Sequence, residues 1–227
     1  MLKKLFYILL LVPALALPLE GFGQTAQPVA VLSWKAKTYV PSSYQGKILP
    51  GSTTPLLASL DIFMSGKAVN LSGYKIYWYL NNTLIDRGVG LQSVSIRTPQ
   101  TLGGGSITLR AQIPDFSSGS LVKSVSIPLV SPSIVIENPS GPSELFSKTL
   151  RLKIVPYFFT VSDLSSLKFN WSVGGIEVKA AEDPQNLIIN TNPDAAPGAA
   201  LSVSATVSNP AGYFESASAQ KSFTLSN

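Results

Sequence analysis

Tyr74-Lys75-Ile76-Tyr77-Trp78-Tyr79-Leu80-Asn81-Asn82 returns later in the chain as Leu167-Lys168-Phe169-Asn170-Trp171-Ser172-Val173-Gly174-Gly175. The two tryptophans stand 93 positions apart (171 − 78), the length of one small β-sandwich. A second echo follows, because Ile107-Thr108-Leu109-Arg110-Ala111-Gln112-Ile113 matches Leu201-Ser202-Val203-Ser204-Ala205-Thr206-Val207 at a spacing of 94 (201 − 107). A period of this length implies two copies of one domain.

Around these anchors, short runs of alternating apolar and polar residues are separated by Gly, Pro, Asn and Ser, which is the pattern of half-buried strands. In the first copy the strands are expected over Val29–Tyr39, Leu56–Met64, Tyr74–Leu80, Thr83–Arg87, Leu91–Thr98, Ser106–Ile113 and Leu121–Leu129. In the second they fall at Ser133–Glu137, Thr149–Phe159, Leu167–Val173, Ile176–Lys179, Asn186–Asn190, Leu201–Val207 and Ser216–Leu225. No stretch sustains a helical period. Asn81-Asn82 and Gly174-Gly175 occupy the same hairpin turn, where φ must be positive and Asn or Gly is least strained. The fold expected is all-β: two tandem immunoglobulin-like β-sandwiches, residues 29–131 and 132–227, with Trp78 and Trp171 in the cores. The join Val130-Ser131-Pro132 is short, and Pro128 and Pro132 restrict the backbone there, so a semi-rigid connection is expected.

The pattern Trp-x-x-Gly-Gly at Trp171, with Val203-Ser204-Ala205-Thr206-Val207-Ser208-Asn209-Pro210-Ala211-Gly212 downstream, resembles the Ig-like and PKD-like tandem repeats of secreted or surface bacterial proteins. It spans nearly all of the chain after the leader. The Trp-x-Phe-Gly-Asp-Gly turn of PKD domains is missing, as are the cysteine pair and tyrosine corner of antibody-type domains. The resemblance implies spacer, adhesion or docking modules with no active site of their own.

Residues 1–23 read as a signal peptide: Lys3 and Lys4 precede the apolar run Leu5–Leu17, too short to span a bilayer comfortably. Residues 24–28 read as a disordered N-terminus of the mature chain. No later segment reaches the apolar length of a membrane helix, so no stable membrane span is expected after signal cleavage. The expected location is outside the inner membrane: periplasmic, cell surface or extracellular. Zero cysteines exclude disulfides, a lipid attachment site and thiolate metal sites, and leave two apolar cores to stabilise the chain.

Zero histidines remove Ser-His-Asp and Cys-His systems and imidazole ligation together. The carboxylates Asp61, Asp86, Asp115, Asp163, Asp183 and Asp194 are scattered singly. Glu182 and Asp183 are adjacent, which on an extended strand points them to opposite faces. Calcium would need several such oxygens to converge, and only Asp163 with Glu182-Asp183 is a candidate grouping. The chain is therefore expected to be non-catalytic and to use no cofactor and no metal.

Charge divides unevenly. From Pro28 to Ser131 nine Lys and Arg face three Asp and Glu, a balance of +6, whereas Pro132–Asn227 has six against eight, or −2. An exported basic domain points away from nucleic acid and toward an envelope protein, a surface glycan or an acidic surface polymer. If Trp78 faces inward, Lys75, Tyr77 and Tyr79 face outward, and Arg110 and Gln112 do so on the later strand. These five residues are the candidate partner-binding set, since Tyr and Arg on one exposed face have the composition of an interface. The second copy carries Lys168, Asn170, Ser172, Ser202, Ser204 and Thr206 in matching places. The leading expectation is an adhesive or scaffolding protein whose first domain contacts a partner. The alternatives are a carbohydrate-binding protein, with Tyr77, Tyr79 and Trp34 stacking on sugars, and an accessory subunit of a pilus or secretion assembly.

Overall fold

The computed structural model describes residues 27–101, 104–117, 119–141, 145–146, 148–179, 183–190, 192, 195–212 and 215–226. The signal peptide read over 1–23, residues 24–26 of the expected disordered N-terminus, Glu182 and Asp194 lie outside them. The first sandwich is built from β1 (Val29–Ala36), β2 (Pro55–Met64), β3 (Lys67–Ala68), β4 (Lys75–Leu80), β5 (Thr83–Val89), β6 (Ser93–Arg97), β7 (Gly105–Phe116) and β8 (Gly119–Leu129). The second uses β9 (Ser133–Glu137), β10 (Leu145–Phe146), β11 (Thr149–Tyr157), β12 (Lys168–Val173), β13 (Ile176–Val178), β14 (Asn186–Asn190), β15 (Ala200–Ser208) and β16 (Ser216–Leu225). The helical content of the described residues is a single 3-10 turn at Leu164–Ser166.

In the first sandwich β2 pairs with β1 along one edge and with β6 and β3 along the other, and this sheet faces a second one ordered β5-β4-β7-β8. In the second sandwich the sheet β14-β11-β9 faces β10-β16-β15-β12-β13. Among the described residues all strand pairings are antiparallel except β10 with β16. The two copies thus share one layout, with a tandem immunoglobulin-like fold.

The period-2 alternation of the sequence explains the layering. Along β7, Ile107, Leu109, Ala111 and Ile113 are buried, while Thr108, Arg110 and Gln112 between them face outward. Two separate cores result, one around Leu56, Leu60, Ile76, Trp78 and Leu109, the other around Leu150, Ile154, Phe159, Trp171 and Phe223. Each such buried aliphatic or aromatic side chain contributes about 1.5–3 kcal/mol relative to exposure. Both tryptophans satisfy the indole N–H in the same manner. Trp78 Nε1 donates to the Leu91 carbonyl at 2.9 Å, and Trp171 Nε1 to the Pro184 carbonyl at 3.0 Å, each partner thirteen residues downstream. The paired hairpin turns match too, with φ of 47° and 69° at Asn81 and Asn82 and 59° and 85° at Gly174 and Gly175.

Two strands end sooner than their apolar pattern implies. β1 stops at Ala36 and β11 at Tyr157. The residues beyond them, Tyr39 and Phe159, form an isolated antiparallel bridge that joins one sandwich to the other. Phe158 takes a positive φ of 62°, which breaks the strand there. The join is therefore restrained by more than its prolines: the loop between β1 and β2 lies against the second sandwich, and Val130 N donates to the Pro50 carbonyl at 3.0 Å.

Candidate binding face of the first sandwich

The outward side of the sheet β5-β4-β7-β8 gathers the five residues singled out in sequence. Cross-strand register places Tyr79 beside Arg110 and Tyr77 beside Gln112. Extended over the four strands, one row reads Leu84, Tyr79, Arg110, Ser124, and the next Arg87, Tyr77, Gln112, Val122. Lys75 follows on β4, opposite Val89. These rows contain three cations and no carboxylate.

A β-bulge sets that charge. Between Trp78 and Tyr79 the β4–β5 register shifts by one residue, so Tyr77 meets Arg87 and Trp78 meets Asp86. Without the shift, counting back from the Leu80–Thr83 pair would set Asp86 opposite Tyr77, on the outer face. Because Trp78 turns into the core, its partner Asp86 belongs to the other side of the sheet.

The cations interact with the rings. The Arg110 guanidinium lies 4.1 Å from the centre of the Tyr79 ring, and Lys75 Nζ lies 5.5 Å from that of Tyr77. Arg110 is half-buried, and its Nε is shielded with no hydrogen-bond partner among the described residues. Gln112 Nε2 donates to Ser120 Oγ at 3.5 Å, a long contact that leaves the amide little restrained. Around this centre Leu84 is 43% exposed, Val122 49% and Val89 66%. Arg87 and these three aliphatic residues were not identified from sequence. Arg87 is hidden there because only the bulge moves it to this face.

Trp34 stands elsewhere. It lies on β1 in the opposite sheet, is half-buried against the first core, and has Lys47 Nζ 3.8 Å from its ring centre. It is not part of the Tyr77–Tyr79 surface. In the second sandwich the matching face is a shallow polar trough of about 330 Å3 lined by Asn170, Ser172, Glu177, Ser204 and Thr206.

Of the carboxylates considered for metal or acid–base roles, Asp163 and Asp183 serve as turn caps. Asp163 Oδ1 accepts from Ser165 N at 2.7 Å, and the Ser165 hydroxyl and amide hold this carboxyl below its ordinary pKa. Asp183 accepts from Gln185 N at 2.9 Å and from Asn186 Nδ2 at 2.7 Å. Among the described residues no group of three or more acidic side chains is placed to hold a metal ion. No helix among them is long and apolar enough to cross a membrane.

No protein-family profile and no curated protein sequence matches the chain. Among solved structures it is similar to the three N-terminal domains of the highly immunogenic outer capsid protein Hoc of bacteriophage RB49, with a TM-score of 0.46 and 11% identity; the match covers 88% of this chain and 59% of that one. It is similar to the SGBP-B protein of the Bacteroides ovatus mixed-linkage glucan utilization locus, solved with a mixed-linkage heptasaccharide, at a TM-score of 0.24 and 12% identity, covering 86% of this chain and 48% of that one. Immunoglobulin domains 1-4 of Sidekick-1 match with a TM-score of 0.28 and 11% identity over 89% of this chain and 70% of that one.

Proposed function

We propose that this is an exported, non-catalytic envelope protein that acts as an adhesive or scaffolding unit, divided into a leader over 1–23 and modules over 29–131 and 132–227. Its first module contacts a partner through Lys75, Tyr77, Tyr79, Arg110 and Gln112, with Arg87 added by the bulge. The observation that carries this reading is the contrast between the two copies. On one scaffold, the first presents Tyr77, Tyr79, Arg110 and Gln112 where the second presents Asn170, Ser172, Ser204 and Thr206, while Lys75 has a cationic counterpart in Lys168. Packing against the core does not dictate the residue types at these outward-facing positions. The absence of carboxylates from the rows favours an acidic protein face as the partner, met by the aromatic and guanidinium groups that are enriched at interfaces.

The carbohydrate-binding alternative has less support, because the Arg110 guanidinium covers part of the Tyr79 ring and Trp34 lies on the other sheet. The accessory-subunit alternative draws on β5, a seven-residue strand at the end of its sheet with an edge open to strand addition. The deciding experiment is affinity capture from a cell-envelope fraction with three proteins: wild type, the Tyr77→Ser/Tyr79→Ser/Arg110→Gln variant, and the matched Asn170→Ala/Ser172→Ala/Ser204→Ala variant. A defined protein lost only with the first variant supports the proposal. Equal capture by all three, or a hydrolytic or transfer activity that maps to this chain, overturns it.

A further inference from the structure

The segment between β1 and β2, residues 37–54, has no strand or helix of its own and is far longer than the two-residue turn of a hairpin. Connections of this length inside a compact domain usually have a function of their own. We propose that this loop is a clasp that fixes the second sandwich to the first, and that Glu215 is the positioning residue that holds its socket. This goes beyond the proposed binding role and does not depend on it.

The clasp is pinned to its own domain before it reaches across. Within the loop Thr38 Oγ1 donates to the Leu49 carbonyl at 2.8 Å, and from outside it Thr98 Oγ1 donates to the Gly51 carbonyl at 2.7 Å and Arg97 Nη1 to the Thr53 carbonyl at 3.0 Å. Thr54 N donates to Thr98 Oγ1 at 2.8 Å. From this base it makes three kinds of contact with the second sandwich. Tyr39 N donates to the Phe159 carbonyl, and Phe158 N to the Tyr39 carbonyl, both at 2.7 Å. The Tyr44 ring packs edge-on against Phe158 at 5.6 Å and Tyr157 at 6.2 Å. Thr54 Oγ1, which accepts from Gly51 N at 2.9 Å, shares a hydrogen bond with Thr160 Oγ1 at 3.0 Å.

The socket on the other side is built around a buried charge. Glu215, only 4% exposed, accepts from Thr160 N with both carboxylate oxygens at 3.1 Å and from Asn209 Nδ2 at 2.7 Å. A Cβ at Gly212 would lie 2.7 Å from Glu215 Oε2 and 2.8 Å from Asn209 Nδ2, so a side chain there would displace this pair. A continuous chain of direct bonds thus runs Thr98–Thr54–Thr160–Glu215 from one domain into the other, and Thr54, Thr98 and Glu215 are all buried. Phe158 is held in a left-handed conformation at the point of contact. A bulky residue keeps such a φ only where its surroundings over-determine it, and the clasp on one side with Glu215 on the other supply that restraint.

The test is 15N relaxation on the full chain, read as the rotational correlation time of each sandwich. The wild type is expected to give one shared value. Tyr44→Ala/Thr160→Val removes the ring contact and the hydroxyl bridge without touching either core, and both values are expected to fall and to separate. Glu215→Gln keeps the shape but turns an amide toward Thr160 N, so the values should separate while amides of the second core keep their exchange protection. As an independent check, Thr54→Cys/Thr160→Cys in this cysteine-free chain should close to a disulfide under mild oxidant and leave the correlation time unchanged. Two different correlation times in the wild type, a shared value retained by both variants, or a folded double-cysteine protein that does not cross-link would each overturn the proposal.

Discussion

Tyr77 faces Arg87 across the β4–β5 hairpin, and the bulge between Trp78 and Tyr79 is what brings these two residues opposite each other. One extra residue in β5 strengthens the positive charge of the surface, since it brings Arg87 onto this face and moves Asp86 to the other side of the sheet. Replacing Arg87 by Asp should therefore change binding without changing the fold. We expect its denaturant midpoint to stay within about 0.5 kcal/mol of wild type, as for surface substitutions in general. Partner binding should weaken at low salt, with the deficit shrinking as salt is raised, checked by titration at two ionic strengths.

The Tyr79–Arg110 contact at 4.1 Å predicts a small coupling. A double-mutant cycle with Tyr79→Ser and Arg110→Gln should give about 0.5–1 kcal/mol of interaction free energy in urea unfolding. The loss in binding from either substitution should be larger than its loss in stability. If the stability loss dominates instead, the pair serves the sheet rather than a partner.

Trp78→Phe and Trp171→Phe each delete an indole N–H that reaches a carbonyl thirteen residues downstream. Leaving the Leu91 or Pro184 carbonyl without this donor costs about 1–3 kcal/mol, with the lost ring volume added. Urea unfolding followed by amide signals of each core should show the effect confined to the core that carries the substitution.

Asn82 has a φ of 69°. Asn82→Gly should be neutral or slightly stabilising, whereas Asn82→Val should cost about 1–2 kcal/mol, because a β-branched residue meets the full left-handed penalty. The measurement is the denaturation midpoint of the first sandwich.

Tyr39, on the clasp, has its phenol pKa raised first by burial and then by the charges of Asp163 and Tyr157. A raised pKa means that its contribution to stability is complete below the ordinary tyrosine range and is lost as pH rises through the raised value. Stability of wild type and Tyr39→Phe should therefore run parallel up to about pH 10 and diverge above it, with the wild type declining more steeply.

The fold was legible because its signals are local. The alternation in Ile107–Ile113, the Asn81-Asn82 and Gly174-Gly175 turns and the repeated tryptophans each constrain their own neighbourhood. The outward placement of Lys75, Tyr77, Tyr79, Arg110 and Gln112 follows from the same period of two. Arg87 was not legible, since a bulge is a one-residue register choice fixed by packing. The clasp was less so: Tyr39 and Phe159 each continue an apolar strand pattern in sequence, and only the approach of the two domains turns them into a bridge. Glu215 carried no signal in the sequence, because the groups that bind it, Asn209 and Thr160, meet it only in the fold.

The central claim is that the tyrosine face of the first sandwich, and not its counterpart in the second, meets a partner. The most direct measurement places a photoreactive residue at Tyr79 in one protein and at Ser172, on the matching strand, in another, and cross-links both in cells. A defined protein adduct from position 79 with none from position 172 is the predicted result. The same adducts from both positions, or none from position 79, would contradict it.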